Sequence, residues 1–315
     1  MPDFVIAIIS VVGVLILGLL IGSLYAYSQA FYSPKIEKRK TNSLDFLDKD
    51  SYKAVSELMT TLVGQIRTIP FEEVTIKSFD GTKLFARYYH TKDGAPLQIQ
   101  FHGYRGSAFR DFCGGHALAR ELNHNILLVD QRSHGLSHGK SITFGIKEAR
   151  DAKAWCEYAR GRFGNVPIFL VGVSMGGSTV IGASAYDLPE NVKGIIADCP
   201  FSSPRDIIKK VCSDMKLNPT LIYPLIKLGA ILFGHFNPDS FSCEGAVENA
   251  RVPMLILHGE ADSFVPCEMS KRIYEKCKSK CFLYTFEGAD HGISFLANPE
   301  KYKKAVYDFL NYCME

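Results

Sequence analysis

From about residue 70 onward the chain alternates short apolar runs with longer amphipathic ones, and this alternation limits the folds open to it more than any other feature. Phe71–Phe79 and Lys83–His90 flank Asp80-Gly81, a dipeptide suited to a hairpin turn. Then come a strand at Leu97–His102, a helix at Ala108–Leu122, a strand at Asn125–Asp130, a helix at Ile146–Phe163 and a buried strand run at Pro167–Val173. A helix rich in small residues follows Ser174, and Val192–Asp198 reads as another strand. After an interruption the pattern resumes with a strand at Pro253–His258, a helix near Pro266–Cys277, a strand at Cys281–Glu287 and a helix at Pro299–Met314. Strands apolar on both faces must be covered on both faces, and the intervening helices supply the cover. The expectation is an α/β domain over residues 70–315, its mostly parallel sheet opened by an antiparallel hairpin.

Two segments lie outside this rhythm. Between Phe201 and Ala250 is a helical, partly apolar insertion containing Pro219–Phe236; Pro224, Lys227 and Gly229 interrupt it, so residues 201–250 read as a lid over a cleft rather than a membrane span. At the other end, Phe4–Tyr27 carries no charge. As a helix it would be about 36 Å long, enough for a hydrocarbon core of roughly 30 Å. Tyr25, Tyr27, Phe31 and Tyr32 would then form an interfacial aromatic belt. A cleaved signal peptide should open with positive charge, whereas only Asp3 precedes the run. Residues 1–27 are therefore expected to be a retained single-pass transmembrane anchor, contacting the membrane through residues 4–27, and 28–69 a juxtamembrane linker and helix. Lys35, Lys38, Arg39 and Lys40 follow the span, which by the positive-inside rule turns the large domain toward the cytoplasm.

The chemistry centres on Gly172-Val173-Ser174-Met175-Gly176, placed between a buried strand and a helix. A nucleophile on so sharp a turn needs neighbours without β-carbons, and the turn delivers the hydroxyl to a helix N-terminus. A serine hydroxyl is a weak nucleophile until a base takes its proton and an acid orients that base. In chain order, Asp262 follows the strand ending at His258 and His291 follows the last strand, so Ser174, Asp262 and His291 are the candidate catalytic residues. Glu260 and Asp290 are the nearest rivals, and Asp198, which also ends a strand, is an alternative acid. The backbone N–H groups of Tyr104 and Met175 are the candidate oxyanion donors, which leaves His102 a structural role.

Composition narrows the function further. With 47% hydrophobic and 22% charged residues the chain is not a disordered one. A net charge of +3, with no basic block in the body of the chain, argues against nucleic acid as a partner. Nine scattered cysteines without a CxxC pair read as reduced, mostly buried thiols rather than a disulfide framework or a metal site.

Phe101-His102-Gly103, Asp130-Gln131-Arg132-Ser133-His134-Gly135-Leu136-Ser137, the elbow through Gly177, His258-Gly259-Glu260-Ala261-Asp262 and Asp290-His291 together resemble the α/β-hydrolase superfamily. More narrowly, they are similar to its serine-aminopeptidase-like and acyl-hydrolase branch. The resemblance implies an eight-stranded sheet, a lid after the sixth strand and no cofactor. The expected activity is cleavage of an ester, thioester or amide through an acyl-enzyme, on a small-molecule or lipid-like acyl substrate suggested by Leu221, Ile222, Leu225, Ile226, Ile231 and Leu232. An aminopeptidase or acyltransferase using the same three residues is the alternative, and a non-catalytic membrane-tethered binding protein a third reading.

Overall fold

Eight strands form one sheet in the order β1-β2-β4-β3-β5-β6-β7-β8. They are β1 (Glu72–Lys77), β2 (Lys83–Tyr89), β3 (Leu97–Phe101), β4 (Asn125–Asp130), β5 (Ile168–Val173), β6 (Val192–Asp198), β7 (Met254–Gly259) and β8 (Cys281–Phe286). Only β2 runs against its neighbours; every pair from β4 through β8 is parallel. The computed structural model describes residues 2–33, 53 and 55–315, so the basic cluster Lys35–Lys40 and most of the expected linker lie outside the described residues.

Period-two alternation decides which residues face which layer. In β5, Ile168 and Leu170 join one core while Phe169 and Val171 join the other; in β7, Met254 and Ile256 oppose Leu255 and Leu257 in the same way. The longer helices are α1 (Asp3–Ala30), α2 (Ser56–Thr68), α3 (Cys113–Glu121), α4 (Glu148–Phe163), α5 (Met175–Ala183), α6 (Pro204–Asp214), α7 (Pro219–Gly229), α8 (Cys267–Lys276) and α9 (Pro299–Met314). Trp155 of α4, Val180 of α5 and Ile273 of α8 close one core; Val63 of α2, Leu118 of α3 and Phe309 of α9 close the other.

Some boundaries differ from the sequence reading for identifiable reasons. The helix expected over 108–122 is two pieces, Ala108–Asp111 and Cys113–Glu121, because Asp111 turns inward to accept the Gly103 N–H. The helix expected from Ile146 begins at Glu148, whose carboxylate accepts the N–H groups of Thr143 and Gly145 in the loop before it.

The insertion, expected as a lid over a cleft, has its main apolar contacts elsewhere. Residues 201–250 pack against the end of α1: a third core gathers Tyr27 of α1 and Phe31, its C-cap, with Phe144, Met175, Ile207, Tyr223, Ile226 and Phe236. The contact is close. A β-carbon on Gly229 would lie 2.3 Å from the Ser23 carbonyl oxygen. The preceding turns of α1, from Asp3 to Ile21, are exposed along their whole length, and α1 is long and apolar enough to cross a membrane.

Candidate active site

The three candidate residues, distant in sequence, come together at the carboxyl edge of the sheet. His291 Nε2 lies 2.9 Å from Ser174 Oγ, and His291 Nδ1 lies 2.7 Å from Asp262 Oδ2.

Local sequence explains the placement of Ser174. Its backbone holds φ 56° and ψ −118°, a left-handed conformation unusual for a residue with a β-carbon. Its N–H is held by the Asp198 carbonyl at 2.8 Å, which ties the elbow to the neighbouring strand. The flanking glycines are sterically required. A β-carbon on Gly172 would sit 2.1 Å from the Gly176 carbonyl oxygen, and one on Gly176 would sit 1.7 Å from that of Phe101. Met175 is the first residue of α5, so its N–H belongs to the unpaired set at a helix start.

Asp262 is buried and densely hydrogen-bonded. Its Oδ1 accepts the N–H groups of Phe264 at 2.9 Å and Val265 at 2.7 Å, while Oδ2 faces His291 Nδ1 at 2.7 Å and His258 Nε2 at 3.2 Å. Burial works to raise its pKa, but hydrogen bonds from His258 and His291 outweigh it and hold the carboxyl well below the ordinary carboxylate range. His258 is itself fixed, between Ser270 Oγ at 2.6 Å and the Val265 carbonyl at 2.9 Å.

The rivals are occupied elsewhere. Asp290 accepts the N–H groups of Ser263 and His291, each at 2.8 Å, and so shapes the loops that carry Asp262 and His291. Glu260 is exposed and bonded to Thr285 Oγ1. Asp198 accepts from Ser294 Oγ at 3.2 Å, and burial pushes its pKa up to about 6.

Tyr104 follows β3 in a loop pressed against Ser174: a β-carbon on Gly103 would lie 3.3 Å from Ser174 Cβ. His102 anchors this loop. Its Nε2 accepts the Gln131 N–H at 3.1 Å, so Nδ1 carries the proton and donates to the Gly103 carbonyl at 2.8 Å. The Asp130–Ser137 motif is likewise structural. Asp130 pairs with Arg87 at 3.0 Å, Gln131 holds the His102 carbonyl, and His134 Nε2 accepts the Arg105 N–H at 3.0 Å.

Asp111 was not visible as a functional residue in the sequence. It accepts the Gly103 N–H at 2.8 Å while paired with Arg110. Burial would raise its pKa, yet the charge of Arg110 leaves it below the ordinary value. No local pattern joins residue 103 to residue 111 across a loop, so nothing in the sequence could single it out.

A cavity of about 270 Å³ opens beside Ser174. Apolar lining comes from Met59, Phe112, Val171, Phe295 and Leu296, with Arg110, Asp111 and Asp198 among the polar residues. No residue of the insertion 201–250 lines it. Cys199 Sγ lies within 4.8 Å of ligand atoms of Asp262 and His291, a donor set acceptable to zinc, but two of the three already bond each other and Cys199 is fully buried.

The sequence pattern of the family described as serine aminopeptidase, S33, matches residues 99–238 and 240–295. YqkD of Bacillus subtilis is 25% identical over 193 residues, which are 61% of this chain and 63% of that protein. Human ABHD12B is 28% identical over 203 residues, 58% of this chain and half of that protein. The chain thus spans less than two thirds of either relative. Among solved structures, the esterase Pf2001 of Pyrococcus furiosus superposes with a TM-score of 0.64 at 23% identity, covering 80% of this chain and 95% of that one; this likeness is one of fold.

Proposed function

The chain belongs to the serine aminopeptidase S33 family of hydrolases, and from that membership we infer that it cleaves a carboxylic ester, thioester or amide through an acyl-enzyme on Ser174. Ser174 Oγ attacks the acyl carbon as His291 Nε2 takes its proton, and Asp262 stabilises the imidazolium. The N–H groups of Tyr104 and Met175 receive the oxyanion. Collapse expels the leaving group, which takes the proton from His291; water then repeats the sequence and releases the acid. The observation that carries this reading is the continuous chain from Ser174 Oγ through His291 to Asp262, at 2.9 and 2.7 Å. A fluorophosphonate probe tests it directly, because only an activated serine reacts. Wild type should label, and Ser174→Ala and His291→Ala should not; labelling that survives Ser174→Ala would refute the assignment.

The substrate reading is a lipophilic acyl group, supported by the apolar wall Met59, Phe112, Val171, Phe295 and Leu296 rather than by the insertion. A purified enzyme that strongly preferred acetyl over decanoyl p-nitrophenyl ester would defeat it. An aminopeptidase would need a carboxylate to hold the substrate amine. Of the acids in the insertion, Asp206 and Glu244 pair with Arg272, Asp214 with Lys210 and Asp239 with Lys227, and none of them, nor Glu248, lines the cavity. In the cavity, Asp111, Asp198 and Asp290 are each committed to partners already named. The ester reading therefore stands ahead. Attachment is through residues 4–27 as a single span, with the catalytic domain on the cytoplasmic side.

A further inference from the structure

We propose that the exposed surface between Met215 and Leu232 is a second membrane contact, lying in the head-group region of the bilayer that α1 enters; this rests on the reading of α1 as a span. Three observations lead there.

The first is depth. An apolar run beginning at Phe4 fills a hydrocarbon core of roughly 30 Å in about 20 residues, which puts its lower edge near Ser23. At that level the insertion meets the helix: Gly229 packs on the Ser23 carbonyl and Gly234 on the Tyr27 ring. Each head-group region is on the order of 5–7 Å deep, so the end of α7 is held at interfacial depth by direct packing.

The second is the distribution of exposed apolar side chains. Every exposed large apolar residue of the insertion falls in this one segment: Met215, Leu217, Leu221, Ile231 and Leu232. Leu221 is 68% exposed and Met215 65%, while Tyr223, Ile226 and Gly229 of the same stretch are buried against the body. A helix with one face packed on protein and an apolar residue left on the other is solvated poorly by water and well by the acyl boundary.

The third is what accompanies the patch. Tyr25, between the Ser23 and Tyr27 contacts with Gly229 but on the opposite face of α1, is 68% exposed at the same depth, and Lys216 is exposed beside Met215 and Leu217. An exposed aromatic on the span and a lysine within an apolar patch are the side chains favoured at a membrane surface.

Tyr104 donates its hydroxyl to the Ala30 carbonyl at 2.8 Å, and Arg105 donates to the Gln29 carbonyl at 2.7 Å. The loop beside Ser174 is thus hung from the same end of α1, which sets the reaction centre close beneath the lipid surface.

Tryptophan quenching in vesicles of phosphatidylcholine brominated along its acyl chains tests the contact without reference to activity. The full chain has one native tryptophan, Trp155, and it is fully buried. Leu221→Trp and Leu232→Trp should lose most of their added emission to bromine placed near the head group. Val14→Trp, within the span, should lose its own to bromine deep in the chain, and Tyr186→Trp, in the loop leading into β6 at the opposite edge of the sheet, should lose none. Val14→Trp quenched while Leu221→Trp and Leu232→Trp behave like Tyr186→Trp would overturn the second contact and leave the span intact, whether that face is bare or covered by another copy of the chain. Failure of Val14→Trp to quench would overturn the span reading itself and the inference with it.

Discussion

Ser174 is held at φ 56°, a conformation that costs a residue with a β-carbon on the order of 1–3 kcal/mol. That strain aims the hydroxyl at His291, and its removal should be measurable in the inactive protein. Ser174→Gly should match or exceed Ser174→Ala in urea-unfolding stability, although glycine ordinarily loses about 0.5–1 kcal/mol to alanine through backbone entropy. A less stable glycine variant would mean that the elbow is unstrained. Asp198, in the next strand, carries a second prediction. Burial holds its pKa up to about 6, above the ordinary 3.8, so the native state keeps this proton more tightly than the unfolded chain. Its stabilising contribution is complete below about pH 4 and is lost as pH rises through about 6, a difference of about 3 kcal/mol at most. Asp198→Asn should therefore gain stability relative to wild type between about pH 4 and pH 7.5 in paired urea titrations. A pH-independent difference between the two proteins would show that the carboxyl titrates normally. Ser174, Asp262 and His291 could be singled out as candidates in the sequence, because each follows a strand run and the three stand in the order expected of an α/β-hydrolase. Asp111 and the loop-shaping role of Asp290 could not, since each acts through a backbone N–H set by tertiary packing.

At the scale of elements, the contact between α1 and α7 is the least expected feature and the easiest to perturb. Gly229→Ala places a β-carbon against the Ser23 carbonyl, and overpacking of this kind costs about 1–3 kcal/mol. Gly161→Ala in α4 is the matched control, because nothing lies within 4 Å of its β-carbon and alanine is the better helix former. Thermal unfolding should show Gly229→Ala destabilised and Gly161→Ala unchanged or stabilised. Equal behaviour would dissolve the contact. The strands were nearly all readable to within a residue or two, since burial on both faces writes an apolar run into the sequence. Helix ends were less so. The expected 108–122 helix is interrupted at Phe112, next to the Asp111 carboxylate that accepts the Gly103 N–H, and Glu148 delays the start of α4 by accepting the Thr143 N–H; periodicity records neither bond.

At the scale of the whole molecule, α1 is both an apolar rod and a part of the folded body. Phe31 is fully buried, with its ring edge-on to Phe144 at 5.6 Å and Phe236 at 5.0 Å. Removing so buried a phenylalanine costs about 3–5 kcal/mol. A chain lacking residues 1–20 should therefore fold and label with fluorophosphonate, whereas one lacking residues 1–33 should unfold at markedly lower urea or fail to accumulate. Indistinguishable truncations would mean that α1 is an appendage. By itself the sequence determined the α/β class, the order of elements, an uncharged N-terminal helix long enough for a bilayer, and three candidate residues set just after strands. These are local quantities: periodicity, run length and the steric demand of a tight turn are written within a few residues. Tertiary structure alone decided that the insertion seats on α1 instead of lining the cavity, that α2 and the Phe295 turn line it, and that Asp111 and the end of α1 brace the loop of Tyr104. Those outcomes depend on which of many apolar faces pair, and an apolar face of α1 or α7 carries no mark of its partner until the chain has closed.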